Sequence, residues 1–196
     1  TDLLDNRLRL NAAVFFNDYK DIILNLSNCT AQTGSPTTGV PCALPANVGT
    51  AEVWGAELEA SLRLGGGISV DATASVLDFK YTDTGVATGV TTDMITPFTP
   101  EQKYSLGVMW EGDIGTGGTL LARADASYQS SIQSAAINLS TDINPFNSNA
   151  THVPGYTVVN ARITWRGAED LWETSLEVNN VLDKLYFFGG ADWSTN

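Results

Sequence analysis

The chain has 196 residues, with 22 acidic and 10 basic side chains and a net charge of −12. That balance argues against nucleic acid as a partner, because phosphate contacts need basic surface. Hydrophobic residues make up 43% of the sequence, but no apolar run approaches the ~18 residues of a membrane-spanning helix. Membrane crossing is not thereby excluded, since barrel strands hide their hydrophobicity in alternation.

Alternation runs through the chain. The first segment, residues 6–26, sets Leu8, Leu10, Ala12, Val14 and Phe16 on one face and Arg7, Arg9, Asn11 and Asn17 on the other. A strand points successive side chains to opposite faces, so this pattern predicts one apolar and one polar side. Residues 27–50, rich in Thr, Gly, Pro and Asn, read as a long loop. The second segment, residues 51–64, opposes Trp54, Ala56, Leu58, Ala60 and Leu62 to Gly55, Glu57, Glu59, Ser61 and Arg63. Gly65-Gly66-Gly67 predicts a tight turn. The third, residues 68–82, opposes Ile68, Val70, Ala72, Ala74 and Val76 to Ser69, Asp71, Thr73 and Ser75. Its rhythm blurs after Asp78, and residues 83–100 read as a second long loop.

The fourth segment, residues 102–111, carries Tyr104, Leu106, Val108 and Trp110 on its apolar face. A Gly-rich turn over residues 112–118 leads to the fifth, residues 119–131, where Ala122, Ala124, Ala126 and Tyr128 oppose Arg123, Asp125 and Ser127. A third long loop covers residues 132–154. The sixth segment is residues 156–166, a short turn takes residues 167–170, and the seventh is residues 171–181.

Each segment is at least as long as a tilted transmembrane strand needs, roughly 9–11 residues. The connections alternate between long and short. Both facts predict an all-β, antiparallel, up-and-down transmembrane barrel with long outside loops and brief periplasmic turns. Trp110, Trp165 and Trp172 fall beside short turns, while Trp54 and Tyr128 fall at the opposite end. Amphipathic rings prefer the two membrane interfaces, so these five residues form two expected girdles. Arg9, Glu57, Glu59, Arg63, Asp71, Arg123, Asp125, Arg162, Glu173 and Glu177 all take the polar face. An Arg on the lipid face would cost roughly 2–4 kcal/mol at mid-depth. Arg162 is placed to pair with Glu173 or Glu177 across a short turn. The competing all-β reading is a soluble sandwich with the tryptophans in its core. Its loops would be less unequal and its mid-strand residues larger.

Cys29 and Cys42 lie in the first long loop with no metal-binding neighbours. In an oxidising compartment they form a disulfide, with two free thiols as the alternative. Closing that loop is worth about 3 kcal/mol at most in the chain-entropy model. No catalytic constellation, metal site or cofactor motif is evident, so an enzyme is not expected. His152 stands alone, and Gly65-Gly66-Gly67 lacks the Lys and helix of a phosphate loop. Phe98, Phe146, His152 and Tyr156 lie in or beside the long loops and are the candidate ligand contacts, since aromatics supply contact area.

Several phrases resemble the C-terminal barrel of TonB-dependent outer-membrane receptors. They are residues 11–22 (NAAVFFNDYKDI), 53–59 (VWGAELE), Thr99-Pro100-Glu101, and 154–165 (PGYTVVNARITW). Most specific is residues 177–187 (EVNNVLDKLYF), where Asn180, Val181, Leu182, Asp183, Lys184 and Tyr186 match the family's late-barrel signature. The resemblance implies a barrel of about 22 strands around an N-terminal plug. It implies import of a scarce ligand such as a siderophore, cobalamin or a glycan, driven by the inner-membrane TonB complex through the plug. It also implies lipid and lipopolysaccharide as surroundings. On this reading residues 1–196 are a partial wall of about seven late strands, without plug, early strands or closing strand. A passive porin is the alternative within the same architecture.

Overall fold

A computed structural model describes residues 2–26, 44–85, 88–138 and 151–190 of the chain. One antiparallel sheet runs β1 (Asp2–Leu3), β2 (Leu8–Leu26), β3 (Leu44–Gly65), β4 (Ile68–Thr84), β5 (Gln102–Asp113), β6 (Thr119–Gln129), β9 (Tyr156–Arg166) and β10 (Glu173–Val178). Between β6 and β9 lie β7 (Ile132–Gln133) and β8 (His152–Val153), which pair only with each other. The long strands follow one another in space as in sequence, the meander that alternation and loop lengths predicted. Their number also agrees, the two-residue β1 being the addition.

The short connections are built for tight reversal. Gly65, Gly66 and Gly67 all have positive φ, and a Cβ on Gly67 would stand 1.8 Å from the Glu111 carbonyl oxygen. Gly115–Gly117 form a single 3₁₀ turn, and Ala168–Asp170 reverse the chain through a left-handed Glu169 at φ 61°.

Boundaries moved where tertiary pairing overrides local signals. Within residues 27–50, expected as one loop, Leu44–Thr50 instead begin β3, with Leu44–Gly49 pairing with Ile22–Leu26. Pro45, Asn47 and Gly49 carry the turn composition that misled the reading. The strand tolerates them for physical reasons. Pro45 pairs with Asn25 on one side only, since β4 reaches no further than Gly49, and Pro is tolerated on an unpaired edge. Gly49 takes φ 125° at a register shift, where a Cβ would lie 2.0 Å from the Asp83 carbonyl oxygen. β4 ends at Thr84 rather than at the expected Thr82, while β6 stops at Gln129 and β10 occupies only Glu173–Val178.

Register sorts side chains into two faces across all long strands. One row reads Leu8, Leu62, Val70, Val108, Ala124, Ala161 and Val178; the next toward the loops reads Leu10, Ala60, Ala72, Leu106, Ala126 and Val159. Among the described residues no second sheet covers these rows. Val14 is 83% exposed and Leu176 70%, with Leu58, Leu106 and Ile163 also exposed. A soluble monomer rarely exposes a contiguous apolar patch above a few hundred Å². The sandwich reading is thereby overturned: Leu58 and Ile163 meet no dry interior. Among the described residues no helix is long and apolar enough to cross a membrane; strands do the crossing.

The facing inverts at the long-loop end. Above the Phe16–Trp54–Asp78 row, Asp18, Glu52 and Lys80 continue the outer face, while Val53, Phe79, Ala51 and Tyr81 continue the inner one. That inner face carries the molecule's buried core of Leu26, Val48, Ala51, Tyr81, Val90, Met94 and Ala136. β2–β4 therefore project beyond the lipid belt as a collar with its apolar side inward.

Candidate functional site

The inner face within the belt is a hydrogen-bonded polar wall. Arg123 donates from Nε to both Asp125 carboxylate oxygens (2.9 Å each) and from Nη2 to Oδ1 (2.6 Å). Its Nη1 lies 3.6 Å from Asp71 Oδ2, and Ser61 donates to Asp71 at 2.7 Å. Gly107 is the shelf beneath this group: a Cβ there would meet Arg123 Nη2 at 2.7 Å and Asp125 Oδ1 at 2.8 Å. Farther along, Arg162 donates to Ser175 and Thr164 and reaches Glu177 at 3.9 Å. Glu173, the other expected partner, sits opposite Arg166 and pairs with it at 3.2 Å. Such half-exposed pairs contribute roughly 0–1 kcal/mol each. Their main consequence is a charged surface facing away from the apolar belt.

Two aromatic rows bound the outer belt. At the short-turn end Trp165 and Trp172 meet edge to face at 4.6 Å, and Trp165 Nε1 donates to the Gly117 carbonyl at 2.8 Å. Trp110 lies in the same region, on β5 opposite Ile68. At the other end Trp54 Nε1 donates to Asp78 at 2.9 Å, and Tyr104 stacks on Tyr128 at 5.8 Å. Both rows step toward the short turns along the sheet, the loop-end row from β3 to β5 and the short-turn row from β5 to β9, where Trp165 lies one row beyond Trp110. Trp54 pairs with Asp78, whereas Tyr104 pairs with Ala74, nearer the glycine turn. That stagger is what strands tilted 35–45° in a barrel require.

The signature segment acts as a local clamp. Asn180 Oδ1 accepts the Lys184 N–H at 2.9 Å and its Nδ2 donates to the Lys184 carbonyl at 3.1 Å. The Asn180 N–H in turn donates to Asn160 Oδ1 on β9 at 2.8 Å, and Val181 N–H donates to the Val159 carbonyl at 2.7 Å. Asn180 and Asp183 both hold left-handed φ, which asparagine and aspartate tolerate best among residues with a Cβ. The chain turns inward, and Tyr186 stacks on Tyr156 at 4.5 Å with Phe188 at its edge. Val181 and Leu182 remain exposed.

The candidate ligand contacts separate. Phe98 and Tyr156 line one cleft of about 130 Å³ at the loop end of the inner wall, with Lys103, Gln129, Phe187 and Phe188. Phe98 is 60% exposed. His152 sits on β8 opposite Gln133 and does not line that cleft. Phe146, Cys29 and Cys42 lie outside the described residues. Lys103 and Gln129 carry no sequence signal of their own, because polar residues at the loop ends of β5 and β6 look like ordinary inner wall. Phe188 had a visible signal in the Tyr-Phe-Phe run. Among the described residues no three His, Cys, Asp or Glu side chains gather to hold a metal ion.

Two groups above the belt have displaced acidities. Burial pushes the Tyr81 hydroxyl above its ordinary value of 10.0, with the Thr96 hydroxyl a lesser, opposing influence. In the exposed connection after β4, a hydrogen bond from Thr91 holds the Asp93 carboxyl below its usual range.

Residues 1–181 match the family described as TonB dependent receptor-like, beta-barrel. The chain belongs to the TonB-dependent receptor family. Among solved structures it is similar to the ferric yersiniabactin uptake receptor of Yersinia pestis, at 22% identity and TM-score 0.69 over 92% of this chain and 23% of that one. It is similar to the siderophore receptor PiuA of Acinetobacter baumannii at 21% identity and TM-score 0.64, covering 95% and 23% of the two chains. The unliganded ferric citrate transporter FecA matches at 18% identity and TM-score 0.66, covering 93% and 25%. The chain thus spans about a quarter of the length of these relatives. No curated protein matches it in sequence. The family is one of receptors and transporters rather than enzymes, and its barrels reside in the bacterial outer membrane. The apolar belt is therefore the lipid-facing surface.

Proposed function

We propose that this chain is the late part of the wall of a barrel of about 22 strands that imports a scarce ligand using energy from the TonB complex. The observation that carries the reading is the register itself. A lipid belt bounded by aromatic rows backs directly onto a charged, hydrogen-bonded inner wall. That is the cross-section of a hydrated lumen rather than of a packed core. The open edges at β1 and β10 carry the same message, because unpaired backbone groups are not tolerated in lipid and further strands must close the sheet. Plug, early strands and closing strand are assigned to the rest of the polypeptide.

Iron chelates of the siderophore class are the proposed cargo. The support is that similar structures include a ferric yersiniabactin uptake receptor and a ferric citrate transporter. Phe98 and Tyr156 are proposed to touch the cargo from the extracellular cleft, Phe146 and His152 from the adjoining loop. Cys29 and Cys42 are proposed to close the first long loop.

The test is uptake of radiolabelled ferric siderophores by cells carrying the full-length receptor, with and without TonB. Accumulation that disappears when TonB is deleted supports the reading. Accumulation that persists at the same rate identifies a passive channel instead.

A further inference from the structure

Above the membrane the inner faces of β3, β4 and the last residues of β2 are largely withdrawn from water, while Tyr19 stays exposed. Two stretches cover them: residues 88–98, between β4 and β5, and residues 132–138, after β6. Val90, Met94 and Ala136 from these stretches close on Leu26, Val48, Ala51 and Tyr81, all buried. Buried backbone must find hydrogen-bond partners, and one side chain supplies several of them. Asn138 is 8% exposed. Its Oδ1 accepts the Ile95 N–H at 3.1 Å, and its Nδ2 donates to the Ile95 carbonyl at 2.6 Å and the Ala135 carbonyl at 3.2 Å. The amide engages both backbone groups of one residue on the other stretch, as a neighbouring strand would.

The same two stretches meet again farther on. Phe98 N–H donates to the Gln133 carbonyl at 2.8 Å. Phe98 itself holds φ 55°, a left-handed conformation that a bulky residue keeps only when its surroundings over-determine it. Ser134 then joins the segment after β10, its Oγ accepting the Gly190 N–H at 3.1 Å with the Gly190 carbonyl 2.7 Å away.

We infer that Asn138 is a latch: it locks residues 88–98 to residues 132–138 as one body and thereby positions Phe98 at the edge of the cleft. The strap bearing Phe98 then does not open as an independent lid. It opens only together with the stretch after β6, with the Asn138–Ile95 bonds intact. The link to ligand capture rests on the reading of that cleft given above; the latch itself does not.

Hydrogen exchange on the full-length receptor in detergent micelles reads the latch without any cargo. In the wild type, amides in 90–98 and in 132–138 are expected to be protected and to exchange at a common rate, marking one cooperative unit. Asn138→Ala leaves both Ile95 backbone groups unpaired and is expected to speed exchange in both stretches together by about tenfold to a hundredfold, with β5, β6 and β9 unchanged. Ser134→Ala removes the side-chain ties to Gly190 and to the Thr151 carbonyl, keeps the Ser134 N–H bond to that carbonyl, and is expected to speed exchange at 187–190 while leaving 90–98 unchanged. Independent rates for the two stretches in the wild type would overturn the inference, as would Asn138→Ala affecting only one of them. The wild-type pattern decides the matter even where Asn138→Ala lowers the yield of folded receptor. A ferric siderophore that fails to bind would count against the cleft and leave the exchange result standing.

Discussion

Gly107 shows how one residue type sets what the inner wall can hold. Its missing side chain is the space in which the Arg123–Asp125 pair lies flat. Gly107→Val is expected to push that pair off the wall and to destabilise the barrel by roughly 1–3 kcal/mol, the usual cost of overpacking. The denaturant midpoint of the folded receptor measures it, and a midpoint equal to wild type would contradict the account. Tyr81 makes the complementary case in the collar. Its hydroxyl is buried and, among the described residues, makes no hydrogen bond within 3.5 Å. Tyr81→Phe is therefore expected to leave collar stability unchanged or slightly higher, since it removes an unsatisfied polar group.

The pH dependence of the collar follows from the same hydroxyl. Its folded pKa lies above the ordinary 10.0, so the unfolded chain releases this proton first as pH rises. The contribution from neutral Tyr81 is complete below about pH 10 and is lost as pH climbs through the folded value. Exchange protection in residues 90–98 is expected to fall over that alkaline range in the wild type and to fall less in Tyr81→Phe. An identical fall in both proteins would show that Tyr81 is not the responsible group.

Along a strand, parity decides the effect of a charge. Ala124 on β6 faces lipid, whereas Ser105 on β5 faces the lumen beside Thr73 and Ser127. Ala124→Arg is expected to cost roughly 2–4 kcal/mol at mid-depth. Ser105→Arg, introducing the same charge on the other face, is expected to cost less than about 1 kcal/mol, as surface changes usually do. Folding into lipid vesicles, followed by the heat-dependent gel shift of the barrel, compares them. Equal costs would contradict the two-faced wall.

The same periodicity explains which elements were legible in the sequence. Residues 156–166 matched β9 to the residue because Thr157, Val159, Ala161, Ile163 and Trp165 alternate without interruption. Leu44–Thr50 were missed because Pro45, Asn47 and Gly49 satisfy turn chemistry locally, and only pairing with β2 makes them strand. Past Asp78 the segment to Thr82 was legible as strand, but its facing was not. There the apolar face changes sides, so Phe79 and Tyr81 break the pattern at the point where the strand leaves lipid. Asn180 was legible as part of a signature, but its bonds to Lys184 and to Asn160, whose backbones lie far apart in sequence or across a turn, were not. The cleft formed by Phe98, Lys103, Tyr156 and Phe188 joins four separate stretches, which no local pattern encodes.

At the scale of the whole molecule, the account reduces to a change of solvent along β3. From Leu64 to Trp54 the even positions meet hydrocarbon and the odd positions meet a hydrated lumen. Above Trp54 the odd positions Val53 and Ala51 turn into the buried collar core, while Glu52 faces outward. A scan of single spin labels along residues 51–64 of the full-length receptor in lipid bilayers tests this most directly, comparing collisions with oxygen and with a water-soluble nickel chelate. The expected result is high oxygen and low chelate accessibility at 56, 58, 60 and 62, the opposite balance at 57, 59, 61 and 63, and loss of the oxygen-rich signal at 52. Equal accessibility at odd and even positions, or oxygen-rich signals at the odd ones, would contradict the membrane wall on which every other conclusion stands.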